Sequence, residues 1–410
     1  MTPAPSQTPA PRGGGGRHTA DGSADPDRLV SSRYRGAPST PMSSAVDLAS
    51  RHPDSISFAL GDPDLTTDAG VIDAAAADAK AGHTHYTDTY GDPELRRAIL
   101  DFYAEEYSHE RPLSDLLVTT SACHGMWLAL ESVLDDGDEV IIHEPYFTPY
   151  PHQIRLARGV PVALATYEHE EWQVSPERLE ALITDRTRAL VLNSPTNPTG
   201  ACFSRETLDA IAEIACRHDL LVIADDIYPL YSYDEPHLPI VTLPGMGERT
   251  IVLGSFSKDY VMTGWRIGYA IAPPAIVRTM KDVNENAVFT APAISQRAAL
   301  HALRRRHEIQ PPIKELYAER MRYAWERVCA TPRMSALRPK GSIYLWVNVT
   351  ETGLPSAEVA SRIFDEAHVL TIPGTAFGDS CEGYLRLAMT VSVERCAKAF
   401  DRIARMPLFS

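Results

Sequence analysis

Short apolar runs alternate with helical patterns from about residue 68 onward, and this alternation constrains the fold more than any other feature of the sequence. The runs lie at residues 116–118, 140–142, 189–192, 220–224, 251–253 and 267–271. Short runs of this kind are typical of strands that are buried on both faces. We therefore predict an α/β fold with a mostly parallel central sheet and helices on both of its faces.

One crossover helix is predicted in detail. The segment "SRETLDAIAEIACRHD", residues 204–219, lies between two of the apolar runs. Ser204 is a suitable N-cap, and the apolar residues from Leu208 to Ala215 recur at the spacing of one helical face. The segment therefore has the amphipathic pattern that a helix covering one face of a sheet requires.

The pattern changes after about residue 300. A long charged helix is predicted over residues 304–328, followed by a strand-like segment, "GSIYLWVNV", and a final helix. This change predicts a second, smaller α+β domain. We assign residues 68–305 to the large domain and residues 306–410 to the smaller one.

Residues 1–35 are rich in Pro, Gly, Ser and Ala and contain few large apolar side chains. Such a segment buries too little apolar surface to offset the entropy lost on ordering, so we predict a disordered tail. Its run from Gly13 to Gly16 lacks the Gly-Lys-Ser/Thr of a phosphate-binding loop and no strand precedes it. A flexible tail is the favoured interpretation of this run.

The charge balance favours a small-molecule partner. The 410 residues include 39 Lys and Arg against 54 Asp and Glu, a net charge of −15. An acidic chain of this kind is a poor partner for nucleic acid or for an anionic membrane surface.

The cysteines and the hydropathy pattern favour a soluble, cytoplasmic protein. The six cysteines are scattered, without the spacing of a zinc site, so no metal is expected. No apolar run approaches the length of a membrane helix, and the first residues lack the apolar stretch of a signal peptide.

Polar residues follow several of the predicted strands. "TTSACHG" follows the first run, "NSPTNPTG" the third, "DDIY" the fourth and "GSFSK" the fifth. Ligands of open parallel sheets bind beyond the carboxyl ends of the strands, so these groups are expected to converge. They offer an amine, a carboxylate, a phenol, an amide and the backbone N–H groups of a helix N-terminus.

This set of groups matches the requirements of pyridoxal 5′-phosphate. Lys258 is the candidate amine for a Schiff base with the aldehyde of the cofactor. Asp225 would keep the pyridine nitrogen protonated, and Asn197 and Tyr228 would contact the phenolic oxygen. Phe147 would stack on the ring. The phosphate would bind at the helix N-terminus, with these residues around it: Ser121, Ala122, Cys123, Ser255 and Arg266.

Several of these assignments have alternatives. Asp226 is the other candidate partner for the ring nitrogen, although the spacing to Tyr228 favours Asp225. Phe147 is alternatively a core residue, and His124 is more readily a capping or packing residue than a substrate contact. Ala122 and Cys123 are expected to contribute only their backbone N–H groups.

The chain resembles the class I and II aminotransferases, pyridoxal-phosphate enzymes of fold type I. The resemblance covers about residue 30 to the end. It depends on motifs in the order and spacing of that family: "YTDTYGDPELR", "DEVIIHEPYFTPY", "NSPTNPTG", "DDIYPLY", "SFSKDYVMTGWRIGY" and "PGTAFG" followed by "GYLRLAM".

The resemblance implies further roles. Lys258 would carry the cofactor and then move a proton. Arg386, in "GYLRLAM", would bind the substrate α-carboxylate with the help of Gly61. Tyr86 would reach the phosphate of a partner subunit, which implies a homodimer with shared active sites. Residues 36–67 would join residues 306–410 in the small domain and close over the substrate.

The expected function is transfer of the α-amino group of an L-amino acid to a 2-oxo acid. The alternative is elimination or cyclisation on the same fold, in a specialised biosynthetic pathway. A transcription regulator is disfavoured because only about 35 polar, Gly- and Pro-rich residues precede the catalytic region and the chain is acidic. A dehydrogenase is disfavoured because no G-x-G-x-x-G opens a helix after the first strand. The absence of arginine from residues 282–296 weakly favours neutral, aromatic or basic substrate side chains over dicarboxylates.

Overall fold

The structure, a computed structural model, describes residues 29–31, 34–35, 52 and 54–410. It divides the chain into two units, residues 1–44 and 45–410. In the first, the described residues include a turn in which Tyr34 N donates to Ser31 O at 2.9 Å. The rest of the predicted tail, with its glycine run, and most of residues 36–53 lie outside the described residues.

The second unit is built around a seven-stranded sheet with the strand order β2-β8-β7-β6-β5-β3-β4. Strands β3 to β7 are parallel to one another, and β8 runs antiparallel to both β7 and β2. The strands are β2 (Leu116–Thr119), β3 (Glu139–Glu144), β4 (Val160–Ala165), β5 (Thr187–Leu192), β6 (Leu221–Asp225), β7 (Thr250–Ser255) and β8 (Gly268–Ile271). The predicted α/β class and mostly parallel sheet are confirmed.

Each predicted apolar run overlaps one of these strands, but β4 was missed. It lies at the edge of the sheet, where β3 is its one neighbouring strand among the described residues, and most of its residues are exposed or half-buried. An edge strand of this kind lacks the continuous apolar run of a strand covered on both faces.

Helices cover the sheet. The described residues form α1 (Ala69–Lys80), α2 (Pro93–Tyr107), α3 (Ala122–Val133), α4 (Tyr150–Leu156), α5 (Pro176–Leu182), α6 (Arg205–Arg217), α7 (Pro274–Ala287), α8 (Ala293–Arg304), α9 (Arg306–Cys329), α10 (Ser356–Ala367) and α11 (Val393–Ile403). The predicted crossover helix is α6, and its N-cap Ser204 accepts a hydrogen bond from Thr207 N at 3.1 Å. In the described part of the chain, no helix is long and apolar enough to cross a membrane.

Two smaller sheets follow. Strands β11 (Ile372–Pro373), β12 (Tyr384–Ala388) and β9 (Tyr344–Asn348) form an antiparallel sheet, in that order. Strand β1 (Ile56–Ser57) pairs in parallel with β10 (Val369–Leu370). The pairing links the segment before α1 to the carboxyl-terminal part of the chain. The division into domains of residues 68–305 and of residues 36–67 with 306–410 stays a prediction.

The predicted long helix is α9, which begins at Arg306 rather than Arg304. It contains Pro311 and Pro312, both within its first two turns. Its apolar residues Met321, Ala324 and Val328 pack into a core shared with β9, β12 and α11. Strand β12 carries Arg386, which lies opposite Trp346 of β9 in the antiparallel sheet. The packing of α9 against this sheet therefore helps to fix the position of Arg386.

Candidate active site

The candidate site lies at the carboxyl ends of three adjacent parallel strands, β5, β6 and β7. Asn193, directly after β5, donates from Nδ2 to Asp225 O at 2.8 Å. The same side chain accepts from Asn197 N at 2.7 Å. One buried amide therefore ties the loop after β5 to the end of β6, and fixes the positions of Asn197 and Asp225 relative to each other.

Asp225 is buried at the end of β6, and its two carboxylate oxygens differ. Oδ2 accepts a hydrogen bond from the hydroxyl of Tyr150, whereas Oδ1 has no hydrogen-bond partner among the described residues. Burial raises the pKa of Asp225 to about 7, against the opposing effect of the Tyr150 hydrogen bond. A buried acceptor oxygen without a partner is expected to bind an N–H donor or a cation.

Asp226 lies on the other side of the strand end. Its Oδ2 is 3.4 Å from His237 Nε2, without hydrogen-bonding geometry. It lines a pocket with Tyr107, Tyr269 and Asp259. Successive side chains of a strand point to opposite faces, which explains why neighbouring aspartates enter different surroundings.

Lys258 follows β7 in a turn and is half-buried. Its Nζ donates to Gly61 O, and its own carbonyl oxygen accepts from Tyr231 Oη at 2.8 Å. The first contact places the amine beside the segment that precedes α1, and the second fixes the backbone that carries it. The structure thus brings the predicted amine and Gly61 into direct contact.

The amino-terminal end of α3 is the predicted phosphate site. Ser121 is its N-cap and accepts from His124 N at 3.0 Å. A Cβ on Gly268, in β8, would lie 2.7 Å from Ala122 N, so a side chain there would obstruct this helix end. Glycine at this position lets β8 pack closely against the first turn of α3, and a helix N-terminus is a favourable position for an anion.

Four other predicted residues of this region have local partners. Gln153 Nε2 donates to Cys123 O at 2.8 Å. Ser255, at the end of β7, accepts from Ser257 N at 3.1 Å. Arg266 is exposed and donates to Thr263 O at 2.8 Å, and Phe147 packs edge-on against Tyr150 with ring centroids 5.6 Å apart.

His124 is engaged within its own helix. Its ring stacks on Trp127 at 5.9 Å, and its Nδ1 accepts from Thr120 N at 3.5 Å. Burial lowers the pKa of His124, which favours the neutral ring. These contacts agree with a packing role.

Arg386 is almost fully buried. It donates to Asn197 Oδ1 at 3.2 Å and to Ala59 O. Its guanidinium also lies over two rings, 4.6 Å from the centroid of Tyr344 and 5.0 Å from that of Phe377. Burial lowers the pKa of Arg386. A guanidinium has five N–H donors, so donors remain for a carboxylate.

Tyr228 and Tyr86 lie in contrasting surroundings. Tyr228 is buried, and its hydroxyl donates to Tyr344 Oη at 3.2 Å. Burial raises the pKa of Tyr228 well above its usual range, so the phenol stays protonated. Tyr86 is 80 % exposed, and its ring meets Phe289 edge-on at 4.9 Å. Tyr228 therefore belongs to the buried site, and Tyr86 to the surface.

Comparison with known proteins decides the family. Residues 53–403 match the family described as aminotransferase class I and II. The chain is 35% identical to an aspartate aminotransferase of Pyrococcus abyssi over 88% of its own length and 93% of that protein. It is 34% identical to the arginine–pyruvate transaminase of Pseudomonas aeruginosa, over 85% of its length and 88% of that protein.

A solved structure agrees. The aromatic aminotransferase of Pyrococcus horikoshii superposes with a TM-score of 0.84 at 34% identity, covering 88% of this chain and 98% of that one. The chain belongs to the class I and II aminotransferases. This aminotransferase depends on pyridoxal phosphate, the cofactor of the family.

The residues present fit that cofactor. The unpartnered Asp225 Oδ1 suits a protonated pyridine nitrogen, and the capped N-terminus of α3 suits a phosphate. Gly268 allows β8 to pack closely against that helix end. The Lys258 amine, bonded only to Gly61 O among the described residues, is available for an aldehyde. The fit therefore depends on a buried acceptor, a helix terminus and a primary amine.

Two residues of the candidate site, Tyr150 and Tyr344, were not predicted from the sequence. Tyr150 donates to Asp225, and Tyr344 contacts Tyr228 and Arg386. Tyr150 ends the quoted motif "DEVIIHEPYFTPY", and Tyr344 lies in the strand-like "GSIYLWVNV". Tyr150 is 75 residues from Asp225 in the chain, and Tyr344 is 116 residues from Tyr228. These hydrogen bonds are therefore visible only in the tertiary structure.

Proposed function

We propose that this aminotransferase moves the α-amino group of an L-amino acid to a 2-oxo acid at the site around Lys258, Asp225 and Arg386. One observation supports the proposal most: Ala59 O accepts from Arg386, and Gly61 O accepts from Lys258. The Cα atoms of residues two apart are separated by at most about 7 Å. The amine and the guanidinium therefore contact the same short segment, as one α-amino acid requires of its two binding groups.

Arg386 is the proposed carboxylate-binding residue. Its position is fixed by Asn197 and by the rings of Tyr344 and Phe377, so little side-chain entropy remains to be lost when a substrate binds. Every amino acid and 2-oxo acid carries the α-carboxylate. Arg386 therefore orients both substrates of the reaction in the same way.

Lys258 is the proposed proton carrier. Pyridoxal phosphate, when bound, supplies a ring that accepts the electron pair left as the substrate Cα–H bond breaks. Lys258 Nζ would take the proton from the substrate Cα and deliver it to C4′ of the cofactor, because return to Cα would only restore the amino acid. Asp225 would hold the ring nitrogen and Asn197 and Tyr228 the phenolic oxygen. The remaining proposed contacts are Phe147 to the ring face, and Ser121, Ala122, Cys123, Ser255 and Arg266 to the phosphate.

We also propose a homodimer in which Tyr86 reaches the partner subunit's site. Tyr86, Val288 and Phe289 are exposed apolar side chains, and Tyr86 packs against Phe289. Large exposed aromatic side chains in contact with each other are typical of interaction surfaces. Sedimentation equilibrium of the wild type and of Tyr86→Ala tests this: a wild type that stays monomeric at micromolar concentration contradicts it.

The substrate preference and the location are proposals as well. The three relatives are named for aspartate, arginine and aromatic amino acids. The absence of arginine from residues 282–296 favours neutral, aromatic or basic side chains, and comparing phenylalanine, arginine and aspartate as donors tests this preference. All six cysteines are free, which supports a cytoplasmic location. We propose a role in a biosynthetic pathway as well.

A half-reaction tests the function. The cofactor-loaded protein is mixed with an amino acid and no oxo acid, and the products are quantified by mass spectrometry. A transaminase releases one equivalent of oxo acid per site and stops until an oxo acid is added. A lyase or cyclase, which the named relatives disfavour, continues to release product.

Lys258→Ala should release no oxo acid. Lys340→Ala is the control, because Lys340 pairs with Glu171 at 2.6 Å on the surface. Continuous product release by the wild type would contradict amino transfer. Full activity of Lys258→Ala would remove Lys258 from the mechanism.

A further inference from the structure

Tyr344, the first residue of β9, is buried in contact with three of the proposed site residues, Arg386, Tyr228 and Gly61. It is 3% exposed and pairs with Ala388 across the small sheet. Strand pairing on one side and α9 packing on the other fix the backbone of β9. The ring therefore has a defined position in the site, although no motif of the sequence points to it.

The face of the Tyr344 ring contacts the guanidinium of Arg386. The Arg386 Cζ is 4.6 Å from the Tyr344 centroid, closer than its 5.0 Å to Phe377. A buried guanidinium has lost its hydration, so the negative face of an aromatic ring is a significant partner for it. The Nε of Arg386 has no hydrogen-bond partner in the described part of the chain, which leaves the ring to stabilise that end of the charge.

The hydroxyl of Tyr344 contacts a second site residue. It accepts from Tyr228 Oη at 3.2 Å, and the two rings meet edge-on at 5.8 Å. Tyr228 is the residue proposed to contact the phenolic oxygen of the cofactor. A phenol has one O–H group, so a hydrogen bond from Tyr228 to the phenolic oxygen requires the Tyr344 hydroxyl to become the donor within this pair. In either direction, the contact with Tyr344 determines where the Tyr228 O–H group points.

The same hydroxyl also lies against Gly61. A Cβ on Gly61 would lie 1.9 Å from Tyr344 Oη and 2.8 Å from Cζ, so only glycine permits this approach. Gly61 O is the acceptor of the Lys258 amine. Tyr344 thus also supports the backbone to which the amine is bound.

We propose that Tyr344 is a positioning residue that couples carboxylate binding by Arg386 to the hydrogen bonding of Tyr228. Its ring holds Arg386 in the orientation for the substrate carboxylate, and its hydroxyl sets the orientation of Tyr228. The proposal rests on the proposed function of the site. The ring and the hydroxyl of Tyr344 have separate roles in this proposal, and a different substitution tests each of them.

Tyr344→Phe removes only the hydroxyl. We expect the KM values for amino acid and oxo acid to stay within about twofold of the wild type, because the ring face still covers Arg386. The pH midpoint of the visible absorbance of the cofactor-loaded protein should shift by about half a unit or more, because Tyr228 loses its partner. In the Tyr228→Phe background, the same substitution should produce no further shift, as a double-mutant cycle requires.

Tyr344→Leu removes the ring as well. The KM values for both substrates should rise together by about tenfold, because both bind Arg386 through an α-carboxylate. The kcat should fall less than KM rises. Circular dichroism and the melting temperature establish that the variant is folded before kinetics are compared.

Tyr317→Phe is the matched control. Tyr317 is equally buried and packs on Tyr231 at 5.1 Å, but its hydroxyl has no hydrogen-bond partner within the described residues. Its substitution should move neither the spectral midpoint nor either KM.

The proposal is overturned if folded Tyr344→Phe and Tyr344→Leu match Tyr317→Phe in the midpoint and in both KM values. A fall in kcat and melting temperature of Tyr344→Leu with unchanged KM would show a purely structural role and also overturn it. The spectral midpoint is measured without substrate. A failure of amino transfer is therefore distinguishable from a failure of this proposal.

Discussion

Asp225 and Asp226, two neighbouring aspartates at the end of β6, lie on opposite sides of the sheet in different surroundings. On one side, Asp225 meets Tyr150 and the end of α3, and one of its oxygens has no partner among the described residues. On the other side, Asp226 enters a pocket lined by phenols, with His237 at 3.4 Å and Asp259 nearby. Both carboxyl groups are buried, so burial alone does not distinguish a cofactor-binding acid from a packed one.

The difference lies in what surrounds each carboxylate. On the Asp225 side, Tyr228 interacts with both Asp225 and Arg386, and Cys123, in the first turn of α3, interacts with Asp225. The Asp226 side holds Tyr103, Tyr107 and Tyr269, and burial raises the pKa of each of these phenols. The described residues that line the pocket of Asp226 include two carboxyl groups, Asp226 and Asp259, and neither a lysine for a Schiff base nor an arginine for a phosphate. Only the first side therefore suits pyridoxal phosphate.

Replacing each aspartate with asparagine should give the largest difference in kcat between the two sides. Asp225→Asn removes the negative charge proposed to keep the pyridine nitrogen protonated, so kcat should fall by at least about a hundredfold. Asp226→Asn should lower kcat by less than about threefold, because it touches no reacting group. Steady-state kinetics with saturating cofactor measure both. Equal losses in the two variants would contradict the assignment of Asp225.

Removing the hydroxyl of Tyr150 should lower kcat less than the Asp225→Asn substitution does. Tyr150→Phe removes the hydrogen bond to Asp225 Oδ2, which opposes the rise of the Asp225 pKa caused by burial. The pKa of Asp225 should therefore rise further, and kcat at pH 7 should fall by about tenfold, with partial recovery at higher pH.

Tyr103→Phe is the control for that variant on the opposite side, where Tyr103 accepts from Tyr269 Oη at 3.4 Å. The pH profile of kcat distinguishes the two positions. A Tyr150→Phe profile that superposes on that of Tyr103→Phe would remove Tyr150 from the site.

In the cofactor-free protein, the pH dependence of the free energy of unfolding should report on a buried carboxyl group from each side of β6, Asp225 and Asp259. Burial raises the pKa of Asp225 to about 7 and that of Asp259 to about 8, from 3.8 in both cases. Between pH 4 and the folded-state pKa, the folded protein retains protons that the unfolded chain has released. The free energy of unfolding should therefore fall as the pH rises through these intervals.

Asparagine at either position removes that contribution. Asp225→Asn should flatten the decline up to about pH 7 and Asp259→Asn up to about pH 8. Urea denaturation at a series of pH values measures the slopes. An unchanged slope in both variants would show that neither carboxyl group is protonated in the folded state.

The sequence predicts the sheet well for a physical reason, and the site prediction depends on the polar residues at its strand ends. Strands buried on both faces leave continuous apolar runs, and their polar ends carry Asn193, Asp225 and Lys258. The contacts of Tyr150 and Tyr344 were not predictable from a local pattern, because each meets its partner through the tertiary fold. Strand β4 was missed since an edge position relaxes the apolar pattern. The spacing to Tyr228 already favoured Asp225 over Asp226, and the structure adds the different surroundings of the two side chains.

Borohydride trapping tests the central claim most directly. The cofactor-loaded protein is reduced, digested and mapped by mass spectrometry. The account predicts a single pyridoxyl-phosphate adduct, on Lys258, that is lost in Lys258→Ala and retained in Lys340→Ala. An adduct confined to another lysine, or no adduct in a folded protein saturated with cofactor, would contradict it.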